Sequence, residues 1–145
     1  MNNTNHTLKS NNGAPRVAVL YCQNSVKKDA NIASAVEKFQ DFTLHPAIMP
    51  CSSKIQVPHI LKILDQEADG VEIVACPDKK CRFLDGSCRS GKRVGYARKL
   101  LDEINAGAER LGITYASCLS EKEFLELASK RARAVKELLN QEGRQ

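Results

Sequence analysis

Four cysteines, Cys22, Cys51, Cys76 and Cys118, each stand at or just after the end of a short apolar run of strand character. In an open α/β sheet the ligand site lies outside the carboxyl ends of the strands, so these positions bring thiols to the edge where such a fold does chemistry. Cys81 follows Cys76 by five residues and Cys88 comes seven later, which gives the third strand a thiol cluster of its own. The pattern points to a metal or redox centre. Cys22, Cys51, Cys76 and Cys81 together make the four thiolates of a [2Fe–2S] cluster, a [4Fe–4S] cluster or structural zinc. Spacing does not separate these options, because the ligands come from dispersed strands and not from one CxxC ribbon. Cys118, and Cys88 with it, read instead as small buried hydrophobes.

The elements that must position these thiols alternate along the chain. Residues 16–22 (RVAVLYC), bounded by Pro15, form the first strand, and residues 29–39 carry Ile32, Val36 and Phe39 at helical spacing. Residues 42–49 form the second strand, ending at Pro50-Cys51. The next helix starts between Ser52 and Pro58, since proline is tolerated in a first turn, and runs through Ile60, Leu61, Ile63 and Leu64. Residues 71–76 (VEIVAC) are the third strand, entered through Asp69-Gly70. A cysteine-rich loop over residues 77–90 leads to a helix from about Ser90, with Val94, Ala97, Leu101 and Ile104 on one face. Residues 111–117 are the fourth strand. Ser120 and Glu123 make a capping box for a last helix whose stripe is Phe124, Leu127, Ala128, Val135, Leu138 and Leu139. Four alternations predict a single flavodoxin-like α/β domain over residues 15–140, a four-stranded parallel sheet with helices on both faces. Residues 1–14 and 141–145 are read as tails.

Composition removes several function classes. At 145 residues the chain is one domain, long enough to bury a core without staples. Residues 1–14 are polar and asparagine-rich with no apolar signal core, and no run reaches the length of a membrane span. A cytoplasmic protein is expected, where thiols serve as metal ligands or redox groups more than as structural bridges. The net charge of +5 invites nucleic acid, but aromatics are 5% and no nucleic-acid motif occurs. Residues 86–93 (GSCRSGKR) approach the phosphate-binding pattern GxxxxGK[ST]. Arg93 takes the hydroxyl position that ligates Mg²⁺, and the strand ends ten residues too early for a P-loop. His6 lies in the tail, His45 and His59 are isolated and read as structural, and Asp85 has no partner carboxylate. Acid–base catalysis is not supported.

Ordered blocks of the sequence carry a family resemblance. They are Pro50-Cys51-Ser52-Ser53-Lys54-Ile55, His59 to Leu64, Ala68-Asp69-Gly70-Val71 through Ala75-Cys76, Cys81-Arg82-Phe83 with Asp85-Gly86, Arg93-Val94 with Lys99-Leu100-Leu101, and Glu109-Arg110-Leu111 with Ser117. In this order the chain resembles the delta, iron–sulfur subunit of methyl-viologen-reducing hydrogenase over residues 17–124. The resemblance implies a non-catalytic electron carrier holding a [2Fe–2S] cluster. It implies partners as well: a hydrogenase or formate dehydrogenase on one side, a flavin-containing heterodisulfide reductase or similar complex on the other. Carried over by position, Cys22 falls on the first cysteine of the family's early CxxC, Cys51 on its proline-cysteine, and Cys76 and Cys81 on its cysteines five apart. The second cysteine of the early pair is Ser25 here, which leaves four of five. Cys88 stands where the family has an aromatic and Cys118 where it has a small residue, so neither inherits a ligand role. Ala75 for glycine and Arg82 for histidine mark a diverged branch.

Around the thiols stand Lys79, Lys80, Arg82, Arg89, Lys92 and Arg93. Cations beside an anionic cluster stabilise its reduced form and offer a docking surface to an acidic partner. The alternative is a solvated basic face. At a helix N-terminus such cations oppose the dipole, so a compensating anion is expected. Two rival functions stay open at this point. One is a thiol-redox or sulfur-carrier protein cycling Cys76 and Cys81, or Cys81 and Cys88, between dithiol and disulfide. The other is a zinc-stabilised adaptor.

Overall fold

Alternation along the first strand decides the architecture. In the computed structural model, which describes residues 14–39, 42–77 and 86–142, β1 (Arg16–Cys22) sends Val17, Val19 and Tyr21 into one buried cluster and Ala18 and Leu20 into another. A strand buried on both faces needs a helical layer on each side. The chain supplies α1 (Ile32–Lys38), β2 (Thr43–Met49), α2 (Val57–Gln66), β3 (Gly70–Ala75), α3 (Gly86–Glu103), β4 (Leu111–Tyr115) and α4 (Glu121–Glu142). All strand pairs are parallel, in the order β2-β1-β3-β4. Ile60 and Leu64 of α2 and Val94, Ala97 and Leu101 of α3 close one face. Ile32 of α1 and Phe124, Ala128 and Ala132 of α4 close the other. This is the flavodoxin-like α/β fold that the alternation predicts.

Local chemistry explains the element ends. Pro46 lies in β2, an edge strand, where a missing N–H interrupts no inner ladder. The Asn31 side chain caps α1 by accepting from Ser34 N at 3.0 Å, and Asn31 N donates to Glu121 Oε1 at 2.9 Å, tying α1 to the start of α4. The expected capping box is present: Glu123 N donates to Ser120 Oγ at 3.2 Å and Ser120 N to Glu123 Oε1 at 3.3 Å. Hydrogen bonding to the carboxyl from the Ser120 side chain, and then from its backbone N–H, holds Glu123 below its usual range.

The helix start expected between Ser52 and Pro58 is observed at Val57, after a 3-10 turn (Ser52–Lys54) and with Pro58 in the first turn of α2. The following expectations change. Helix α3 starts at Gly86, four residues before Ser90. The GxxxxGK-like stretch is therefore helical and makes no phosphate-cradling loop. Ile104 is beyond the end of α3 and 71% exposed, so it leaves the inner stripe. Cys88 and Cys118 are exposed and not buried, and Cys118 has φ of 56° in the loop after β4. His45 and His59 are also exposed.

Two buried polar joints fix strands to their surroundings. Asp69, fully buried, accepts from Arg16 N at 2.7 Å and from Arg16 Nη2 at 3.3 Å, which pins β1 to the entry of β3. Glu72, inside β3, accepts from Arg131 of α4 at 3.1 Å. Gly112 lies opposite Glu72 in β4, and a Cβ there would collide with the Arg131 guanidinium. Burial raises the Glu72 carboxyl above its usual range, and the attraction of Arg131 offsets this only in part. Among the described residues no helix is long and apolar enough to cross a membrane.

Candidate functional site

Strand order creates the site. From β1 the chain turns outward through α1 to β2, whereas from β3 it turns the other way through α3 to β4, so the carboxyl ends of β1 and β3 flank the switch point of the sheet. Such a point is the usual ligand crevice of open α/β folds. Cys22 is the last residue of β1 and Cys76 the first after β3. Their register is set by the pairing of Tyr21 with Val74. The two sulfurs stand 3.6 Å apart. Cys51, two residues past β2, joins them in one cluster, and the three are 1%, 2% and 2% exposed in chain order.

The Cys51 strand end is held from two directions. Gln23 N donates to Met49 O at 2.9 Å across the β1–β2 edge, and the Cys22 thiol points at Pro50 O at 3.9 Å. On the other side the Ser52 and Ser90 hydroxyls, both fully buried, are 3.0 Å apart, and Arg93 Nη1 donates to Ile55 O at 3.0 Å. Helix α3 thereby clamps the cysteine-bearing turn. Of the basic residues around the thiols, Arg93 serves this clamp, while Arg89 and Lys92 project to solvent.

The distance between the paired sulfurs has a chemical meaning. Two thiolates on one tetrahedral ion at about 2.3 Å are separated by about 3.8 Å, and the Cys22–Cys76 spacing is close to that as well as to ordinary contact between two thiols. Among the described residues no group of three His, Cys, Asp or Glu is close enough to hold a metal ion by itself. A third thiol, Cys51, is buried beside the pair. Cys81, Lys79, Lys80, Arg82 and Asp85 lie outside the described residues. A second observation bears on the same edge. Ser25 is fully buried, and among the described residues its hydroxyl has no hydrogen-bond partner. The soft donor set and the orphaned hydroxyl both suit an iron–sulfur cluster.

Of the expected site residues, Cys22, Cys51 and Cys76 are brought together. Cys88 on the first turn of α3 and Cys118 in the loop after β4 do not join the buried thiol cluster. Sequence reasoning missed the serine pair and the Arg93 clamp. Their signal was slight: Ser52 directly follows Cys51, and Ser90, Arg93 and Val94 have the spacing of one helix face. It also missed the buried Glu72–Arg131 joint, although a glutamate inside VEIVAC and an arginine on the Phe124–Ala128–Val135 stripe each break an apolar pattern.

The chain is similar to known proteins over most of its length. The chain is 23% identical over 124 residues to the vhu iron-sulfur subunit of the F420-non-reducing hydrogenase of Methanocaldococcus jannaschii, covering 86% of this chain and 92% of that protein. It is 23% identical over 124 residues to the corresponding iron-sulfur subunit from Archaeoglobus profundus, covering 86% and 90%. With the Methanopyrus kandleri protein of the same name the identity is 29% over 90 residues, covering 62% and 68%. Residues 17–139, which take in nearly the whole sheet and all three buried cysteines, match the family described as methyl-viologen-reducing hydrogenase, delta subunit, and the chain belongs to that family.

Proposed function

We propose that this chain is the iron–sulfur electron-transfer subunit of a hydrogenase complex, with a [2Fe–2S] cluster on Cys22, Cys51, Cys76 and Cys81. In this reading it relays electrons in the cytoplasm between a hydrogenase or formate dehydrogenase and a heterodisulfide-reductase-like flavoprotein. The observation that carries the reading is the Cys22–Cys76 pair, 3.6 Å apart and buried at the switch point with Cys51 beside it. The names of the relatives, iron-sulfur subunits of F420-non-reducing hydrogenases, support it.

When bound, such a cluster accepts and returns one electron at a time. The residues of the chain do the rest. Cys22 and Cys76 grip from two adjacent strands, so their spacing is set by the sheet and not by a flexible ribbon. Cys51 approaches on a turn fixed by Ser52, Ser90 and Arg93. Burial of all three keeps bulk water from their sulfurs, and with hydrogen bonds to sulfur it sets the potential. Arg89 and Lys92, exposed at the start of α3, give an acidic partner a place to dock near this edge. No substrate site is assigned to the chain.

The test is electron passage through a reconstituted complex. Under hydrogen, the hydrogenase should reduce the flavoprotein only when this chain is present, and a Cys76→Ala chain should not substitute for it. Equal reduction of the flavoprotein with and without the chain contradicts the relay.

A further inference from the structure

The hydroxyl of Ser25 is in an unfavourable place unless something beyond the described chain accepts from it. Its backbone is fully committed: Ser25 N donates to Cys22 O at 2.9 Å, and Ser25 O accepts from Leu119 N at 2.9 Å. Lys27 N donates to Leu119 O, and Val26 bridges Leu119 in parallel, so the turn after β1 is clamped onto the loop before α4. The side chain is 0% exposed and held three residues from Cys22, with no partner for Oγ among the described residues. A buried hydroxyl left unpaired is destabilising. The cost disappears if an acceptor arrives at the thiol edge.

We infer that Ser25 Oγ donates a hydrogen bond to a sulfur of the cluster, an inference that rests on the cluster reading above. Thiolate and sulfide sulfurs are anionic acceptors, and a bond to them is charge-assisted. The reduced cluster carries one more negative charge than the oxidised one, so the donor stabilises the reduced form more and raises the potential. Ser25 is thus a positioning and tuning residue, and the four thiolates remain the ligands. Its effect on stability has opposite signs in the two states of the chain: unfavourable when no cluster is bound, favourable when one is.

The experiment compares the full-length parent with Ser25→Ala, both prepared anaerobically with and without cluster. Iron and labile sulfide are counted, the midpoint potential is read by EPR-monitored titration, and thermal unfolding is followed without cluster. The expected result is unchanged iron and sulfide, a lower midpoint potential, and a cluster-free variant at least as stable as the parent. An unchanged potential at full iron content overturns the inference. Loss of iron from a folded variant also overturns it, since Ser25 would then be a ligand. A less stable cluster-free variant does so as well, because the hydroxyl would then have a partner within the chain. A parent that binds no iron refutes the cluster reading itself, which separates that failure from the others.

Discussion

Replacing Cys22 by alanine separates a ligand from a packing residue. The side chain is 1% exposed, so Cys22→Ala removes one buried sulfur. As a small hydrophobe that sulfur contributes about 1 kcal/mol, including the small void left behind. A domain of this size has roughly 5–15 kcal/mol of stability, so the variant stays folded and its cluster-free form melts only about 2–4 °C lower. The loss at the metal is of another order. In the proposed reading the paired sulfurs, 3.6 Å apart, are both ligands of the cluster, and removing one opens a coordination position that the variant chain has no thiol at position 22 to fill. The assay is iron and acid-labile sulfide per chain after anaerobic reconstitution, with thermal unfolding of the cluster-free protein alongside. We expect near-total loss of cluster with near-parental melting, whereas Cys118→Ala, at an exposed position outside the thiol cluster, keeps both. Full iron content in a folded Cys22→Ala chain refutes the reasoning.

Other expectations follow from the buried joints and the basic surface. Because burial raises the Glu72 carboxyl above its ordinary value of 4.5, the folded chain holds that proton more tightly than the unfolded one. Parental stability relative to Glu72→Gln therefore falls as pH rises from near 4.5 through the raised pKa. Urea titrations from acid to neutral pH check this, and a relative gain with rising pH contradicts it. Gly112→Ala should drive the Arg131 guanidinium off Glu72 and cost about 2 kcal/mol, seen as a drop of roughly 4–8 °C in melting temperature. Reversing Arg89 and Lys92 to glutamate should slow electron transfer to the partner at low salt without changing iron content, with salt erasing most of the difference. Equal rates at every ionic strength would leave that face merely solvated. The same reversal at Lys79, Lys80 and Arg82 is expected to act in the same direction.

The fold was legible where side-chain period has one meaning. Apart from Arg16 and Glu72, residues 16–22 and 71–76 are apolar on both faces, as a strand covered on both sides requires, and the Ser120–Glu123 box announced α4 by its own hydrogen bonds. The convergence of Cys22, Cys51 and Cys76 followed from that topology, since parallel strands end at one edge. What escaped was everything decided by partners distant in sequence. The start of α3 at Gly86 carries glycine, serine and arginine with no apolar period to reveal a helix. Ile104 continued the spacing of the α3 stripe, but the helix ends before it. Cys118 looked like a strand-end core residue, yet β4 stops at Tyr115 and the chain turns Cys118 outward. The Glu72–Arg131 joint spans 59 residues, and no local pattern says which buried cation answers a buried carboxylate.

The central claim is that this sheet edge holds one [2Fe–2S] cluster on four cysteines. Native mass spectrometry of the anaerobically purified full chain measures it most directly, with iron and labile sulfide determined on the same sample. The account predicts a brown protein with about two irons and two sulfides per chain, falling to none when Cys22, Cys51, Cys76 or Cys81 is replaced by alanine. A colourless chain carrying one zinc and no labile sulfide, or one carrying no metal with Cys22 and Cys76 cycling between dithiol and disulfide, contradicts it.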